Sequence, residues 1–188
     1  MLQACLNGSR GRDYNPAVPV TPEALARDAA ACMAAGANEF HIHPRSSDGL
    51  ESFAADDIGA ALNAVRAAVP GVPVGISTRE GILGEPAGRQ RAFQAWEDLP
   101  DYVSVNLSEG DAPEVIRLML KRGIGVEAGL ATVADAERYV ALPEAGSCLR
   151  VLIEIDEQES ATALRVAHGI IAVLDRTHSK LPRQLHGF

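Results

Sequence analysis

Short apolar runs that end in polar residues alternate along the chain with longer stretches whose apolar positions recur every three or four residues. The first run, Leu2 to Gly8, closes on Asn7 and Gly8, and reads as a strand. The stretch Thr21 to Gly36 then reads as a helix, with Thr21 as N-cap, Pro22 in the first turn and Gly36 as C-cap. The unit repeats. Strand Glu39 to His43 precedes helix Ala55 to Val69, strand Val72 to Thr78 precedes a helix near Gly88 to Glu97, and strand Tyr102 to Leu107 precedes a helix capped by Asp111, with Glu114 three residues on. Ile124 to Ala128 leads into a helix from Thr132 with Asp135 placed to reach back, and Leu149 to Ile155 leads into a helix over Ser160 to Asp175. A seventh strand, Gln184 to His186, follows, and Ser9 to Val20 reads as a loop over the first strand.

Strands alternating with helices at this spacing predict a parallel sheet, either doubly wound or closed into a barrel. Polar residues arbitrate between the two. Asn7, His41, His43, Ser77, Thr78, Asn106, Ser108, Glu127, Glu154, Asp156 and His186 all fall near C-terminal ends of the predicted strands. A barrel gathers every such end at one mouth, whereas a doubly wound sheet uses only those beside its switch point. The expectation is therefore an α/β TIM barrel, a single domain over residues 1–188 that lacks the last strand and helices of the eight-fold pattern.

Composition agrees with one globular domain: 47% of residues are hydrophobic and 22% charged, without a low-complexity segment. A net charge of -8 argues against a nucleic-acid role, which needs a clustered basic surface. With no basic segment leading into an apolar core at the start and no run of ~18 apolar residues, neither a signal peptide nor a membrane span is expected, and the reading is of a cytoplasmic protein. Cys5, Cys32 and Cys148 are well separated and read as buried free thiols.

The chemistry concentrates in "FHIHPRSSDGLES", where His41 and His43 stand two residues apart in a strand and so share a face. Two convergent imidazoles at a strand end suit a catalytic zinc that takes a further carboxylate and keeps a position open. The ordinary alternative is a hydrogen-bonded pair without metal.

Several segments in order resemble the beta-keto acid cleavage enzymes: "LNGSR", "TPEALARDAAACMAAGA", "HIHPRSSDGLES", "GISTREG", "VSVNLSE", "VEAGLATVADAERY" and "RQLHG". The resemblance implies a TIM barrel, a divalent metal, usually zinc, and an exchange in which a beta-keto acid and acetyl-CoA give acetoacetate and a new acyl-CoA. It makes His41 and His43 the metal ligands, Ser77 and Asn106 polar residues near the substrate, and Glu127 an acidic residue suited to proton transfer. Ser77 could equally cap the following turn, Asn106 bond backbone, and Glu127 pair with an arginine. Arg45 and Arg79 could bind anionic substrate or coenzyme A phosphates, or neutralise neighbouring acidic groups. The family's third metal ligand, a Glu in a motif of the type Arg-Ile-Gly-Leu-Glu-Asp on the eighth strand, has no counterpart before Phe188, so a truncated chain is expected. A metal-dependent aldolase or hydrolase on the same barrel, and a non-catalytic barrel subunit, are the alternatives. Alanine-rich helix faces, as in "AAACMAAGA" and "ALRVAHGIIAVL", and the family's habit both point to a homodimer or homotetramer.

Overall fold

A computed structural model of the chain describes residues 1–83, 85–177 and 180–187. Seven strands alternate with six α-helices among these residues, and every strand pairing described is parallel. The class is α/β, as expected. By its contacts the chain divides into two compact units, Met1–Tyr102 and Val103–Phe188.

The first unit carries β1 (Gln3–Cys5), α1 (Pro22–Ala34), β2 (Glu39–Ile42), α2 (Ala55–Ala68), β3 (Val74–Ser77) and α3 (Pro86–Gln94). β1 pairs with β2, aligning Cys5 with His41, and β2 pairs with β3, aligning Ile42 with Ile76. All four residues of β2 and of β3 are buried, as parallel strands covered on both faces require. α1 starts where Thr21 Oγ1 accepts from the Ala24 amide and stops at Ala35, with Gly36 taking a positive φ of 105°. α2 has no side-chain cap, but Asp56 and Asp57 in its first turn meet the positive end of its dipole. Ile58, Leu62 and Val65 on α2, with Phe53, Phe93 and Trp96, form much of the core, and the Trp96 indole donates to Phe53 O at 3.0 Å. α3 begins at Pro86, earlier than the expected Gly88, because proline suits the first helical turn.

β4 (Tyr102–Asn106) starts on the last residue of the first unit. The second unit continues with α4 (Ala112–Lys121), β5 (Gly125–Leu130), α5 (Val133–Val140), β6 (Arg150–Ile155), α6 (Ser160–Arg176) and β7 (Arg183–Gly187). Leu107 N donates to Gly129 O at 2.9 Å, β5 pairs with β6, and β6 with β7, aligning Glu154 with His186. The predicted box at the start of α5 is present: Thr132 accepts from the Asp135 amide and Asp135 from the Thr132 amide, a cap worth about 1 kcal/mol. Asp111, by contrast, makes no side-chain cap bond to α4. A short 3-10 turn at Ala145–Ser147 had no forerunner in the sequence reading.

The cysteines need correction. All three are free, but only Cys148 is buried; Cys5 is exposed and Cys32 half-buried, because the three-residue β1 ends at Cys5 and Cys32 faces partly away from the helix's packed side.

Candidate metal centre

His41 lies within β2, 8% exposed, and His43 follows one residue past its end. Their rings meet edge to face with centroids 5.3 Å apart, so the two-residue strand spacing does bring the imidazoles together. Beyond β2 no strand holds His43. Asn7 does so instead: its Oδ1 accepts from the His43 amide at 2.9 Å and its Nδ2 donates to the His43 carbonyl at 2.7 Å, copying a strand's pairing with one side chain.

After His43 the chain turns back on itself. Ser46 N donates to Leu50 O at 2.9 Å, Ser52 N to Pro44 O at 2.9 Å, and Gly49 at the tip takes a φ of 83°, a conformation glycine adopts without cost. Asp48 braces the tip by accepting from Ser46 Oγ and the Leu50 amide. Arg45 is 8% exposed and spends its Nη atoms on the carbonyls of Gly49, Gly8 and Arg10, at 2.8 to 2.9 Å. It ties the loop after β1 to the hairpin, a role the sequence did not suggest. A cavity of about 970 Å3 opens beside this hairpin, bordered by Arg10, Arg12, Tyr14, Arg45, Asp48 and Asp57, and neither histidine lines it.

The hairpin delivers Glu51. One carboxylate oxygen contacts His43 Nδ1, and the other accepts from Arg79 Nη2 at 2.5 Å and Nε at 3.1 Å. Burial would push the Glu51 carboxyl up, but the hydrogen bonds from His43 and Arg79 and the Arg79 charge outweigh it and bring it down to about 2. Arg79 is thus the neutralising partner of a carboxylate, one of its two expected roles. Ser77 Oγ, buried at the end of β3, accepts from the Arg79 amide at 3.3 Å, the turn-capping arrangement.

The second unit holds the other candidates. Glu127 is fully buried, with its Oε1 2.6 Å from the Arg150 guanidinium, the arginine pairing that stood as the alternative to proton transfer. Asn106 Nδ2 donates to Glu109 at 3.3 Å. Its Oδ1 and the Glu154 carboxylate both lie over Gly129, where a Cβ would come within 2.9 Å of each, so a larger residue there would push these two side-chain ends aside. His186 sits 3.8 Å from Glu154, and that carboxylate raises its pKa against the opposing effect of burial.

Among the described residues no group of three or more His, Cys, Asp or Glu side chains is gathered for a metal. The donor chemistry of the pair still fits one in part. Two imidazoles share a face, and the carboxylate against one of them is the usual outer partner of a metal-bound histidine. Sequence reasoning passed over Glu51 and gave Asn7 no task. The signal available for Glu51 was the Asp48-Gly49 turn, which sends the chain back toward His43 eight residues later.

A sequence model of the beta-keto acid cleavage enzymes matches residues 1–147, and the chain belongs to that family. It is 36% identical over 67 residues to the 3-keto-5-aminohexanoate cleavage enzyme of Fusobacterium nucleatum, covering 36% of this chain and 25% of that protein. It is 35% identical over 95 residues to the 3-oxoadipate:acetyl-CoA acetyltransferase of Cupriavidus necator, covering 48% of this chain and 31% of that protein. The matched segments thus span about a third or less of these curated relatives. Among solved structures, a ternary complex of ObcA with a C4-CoA adduct and oxalate superposes on 90% of this chain and 52% of its own, with a TM-score of 0.69 at 14% identity. A mandelate racemase/muconate lactonizing enzyme from Roseiflexus sp. covers all of this chain with 48% of its own, at a TM-score of 0.60 and 16% identity. These two likenesses speak for the fold alone. No helix among the described residues is long and apolar enough to cross a membrane.

Proposed function

We propose that the protein is a zinc-dependent beta-keto acid cleavage enzyme that uses acetyl-CoA. In the exchange, the bond between the substrate's ketone carbon and its CH2COO- unit breaks. That unit joins the acetyl carbonyl carbon to give acetoacetate, and the coenzyme A sulfur passes to the substrate's acyl carbon. Atoms balance without water, oxidant or reductant.

The observation that carries the reading is the His41–His43 pair in a chain of this family. The names of two relatives, one a keto acid cleavage enzyme and one an acetyl-CoA acetyltransferase, support the substrates. His41 and His43 would hold the ion, with a further ligand needed to complete its shell. When bound, the metal supplies Lewis-acid polarisation of the ketone and stabilisation of enolate charge. Ser77 takes the role of a neutral group that orients a substrate oxygen. Arg79, 40% exposed while it holds Glu51, is the cation offered to the substrate's carboxylate. The same reading takes the fold as a TIM barrel and the protein as a cytoplasmic homodimer or homotetramer.

The test uses the purified protein from its full reading frame. Metal analysis should give about one divalent ion per chain, and a panel of beta-keto acids should yield acetoacetate only with acetyl-CoA present. Replacing both histidines, His41→Ala with His43→Ala, should remove the ion and the activity together. Retention of metal by that double variant, or product formation without acetyl-CoA, would overturn the assignment.

A further inference from the structure

Glu51 is held from two sides while 7% exposed, by the His43 ring on one oxygen and the Arg79 fork on the other. The hairpin that brings it there is fixed in turn by the antiparallel backbone pairing of Arg45 with Glu51 and by the three carbonyls that the Arg45 side chain grips. An exposed ion pair has no need of so much support.

The chemistry of imidazole says what such a carboxylate does. A neutral ring carries its hydrogen on one nitrogen and a lone pair on the other, and the partner at one nitrogen decides which. Carboxylate oxygens accept, so the hydrogen stays on Nδ1 and the lone pair on Nε2. Nε2, on the far side of the ring from Glu51, is then the nitrogen that would hold a metal.

We propose that Glu51 is a positioning residue: it fixes His43 as the Nδ1–H tautomer and aims Nε2 at the metal, while Arg79 fixes Glu51. The inference rests on the metal-dependent reading above and adds to it a residue outside the ligand set. Asn7 completes the arrangement from the backbone side, since it holds both the amide and the carbonyl of His43.

The experiment measures zinc affinity by competition with a chromophoric chelator, and the His43 tautomer by nitrogen-correlated NMR of the metal-free protein. Glu51→Ala should weaken zinc binding about 10- to 100-fold, and its His43 should divide between the two tautomers. Glu51→Gln should lose less, because the amide carbonyl still accepts from Nδ1–H, and Arg79→Met should also weaken binding. A merely structural Glu51 would lower the melting temperature of each variant and leave both readouts unchanged, which overturns the proposal. Loss of metal as complete as in the double histidine variant would make Glu51 a ligand and overturn it as well. Should Glu51→Ala fail to fold, Glu51→Gln and Arg79→Met decide, and wild-type affinity in both counts against it. If the wild-type protein takes up no metal, the metal-dependent reading fails, and the tautomer measurement alone judges Glu51.

Discussion

Glu127 and Arg150 face each other at 2.6 Å across the β5–β6 ladder, where they are also backbone register partners. The glutamate is fully buried and the arginine nearly so. Removing one member strands the other's charge away from water, at a cost of about 3–5 kcal/mol. Arg150→Met should therefore lower the unfolding free energy measured in urea by an amount in that range, and Glu127→Gln by less, because the amide oxygen still accepts from the guanidinium. The same Glu127→Gln protein decides between the two roles of this residue. A carboxylate committed to Arg150 is a poor base, so turnover per folded molecule should stay within a few-fold of wild type. A fall of about 100-fold or more would give Glu127 the proton-transfer role.

Gly75 on β3 packs against the Tyr102 ring so closely that a Cβ would lie 2.0 Å from it. The ring cannot move aside cheaply, since its hydroxyl donates to Phe40 O at 2.6 Å and accepts from Gln3 Nε2 at 2.8 Å. Gly75→Ala should cost about 3 kcal/mol by overpacking. Combining it with Tyr102→Ala should cost less than the sum of the two changes, because the clash is gone once the ring is removed. Additive losses in chemical denaturation would show that the ring is not what excludes the methyl group.

The alternation of strands and helices could be read because apolar spacing is a local property, and so could the Thr132–Asp135 cap, whose partners stand three residues apart. The His41–His43 pair was legible for the same reason: a strand puts alternate residues on one face. What escaped depends on tertiary closure. Arg45 and Arg79 look alike as cations in the sequence, yet one is spent on carbonyls from two loops and the other on Glu51. Glu51 finds His43 only once the hairpin closes. Asp111 had the right residue type for a cap, but its φ of -97° and ψ of 15° lie outside the extended geometry in which a side chain reaches the amides of the first turn.

Cys148 and Tyr139 predict weakness in alkali. Burial pushes the Cys148 thiol up to about 11, with the Glu144 charge adding to it and the Tyr139 hydrogen bond opposing it, and burial raises the Tyr139 phenol too. In the unfolded chain the thiol loses its proton near 9, so between about 9 and 11 the folded state binds more protons than the unfolded one. Stability should be fully present below pH 9 and fall as pH rises through that window, the thiol alone accounting for about 2–3 kcal/mol. Denaturation midpoints at several alkaline pH values check this, and Cys148→Ala should flatten the slope. In the folded protein at pH 8, iodoacetamide should modify the exposed Cys5 and spare Cys148 until denaturant is added.

Assembly is the last expectation to carry a measurement. α1 buries only Ala24, Leu25 and Ala29 of its length, and leaves Ala31, Met33 and Ala34 exposed. α6 buries Ile170, Val173 and Leu174 near its end, while Leu164 stays 60% exposed. Helices that only covered a sheet would turn polar side chains outward at these positions, so the apolar residues there call for a cover. A second copy of the chain is the default occupant for such a surface, because most soluble oligomers are symmetric homo-oligomers. Light scattering at micromolar concentration should give at least twice the 19.8 kDa chain mass. Met33→Lys or Leu164→Lys should lower that mass while leaving the circular dichroism unchanged, since neither residue belongs to the packed side of its helix. A wild-type protein that runs as a clean monomer at that concentration would show that these faces meet only water.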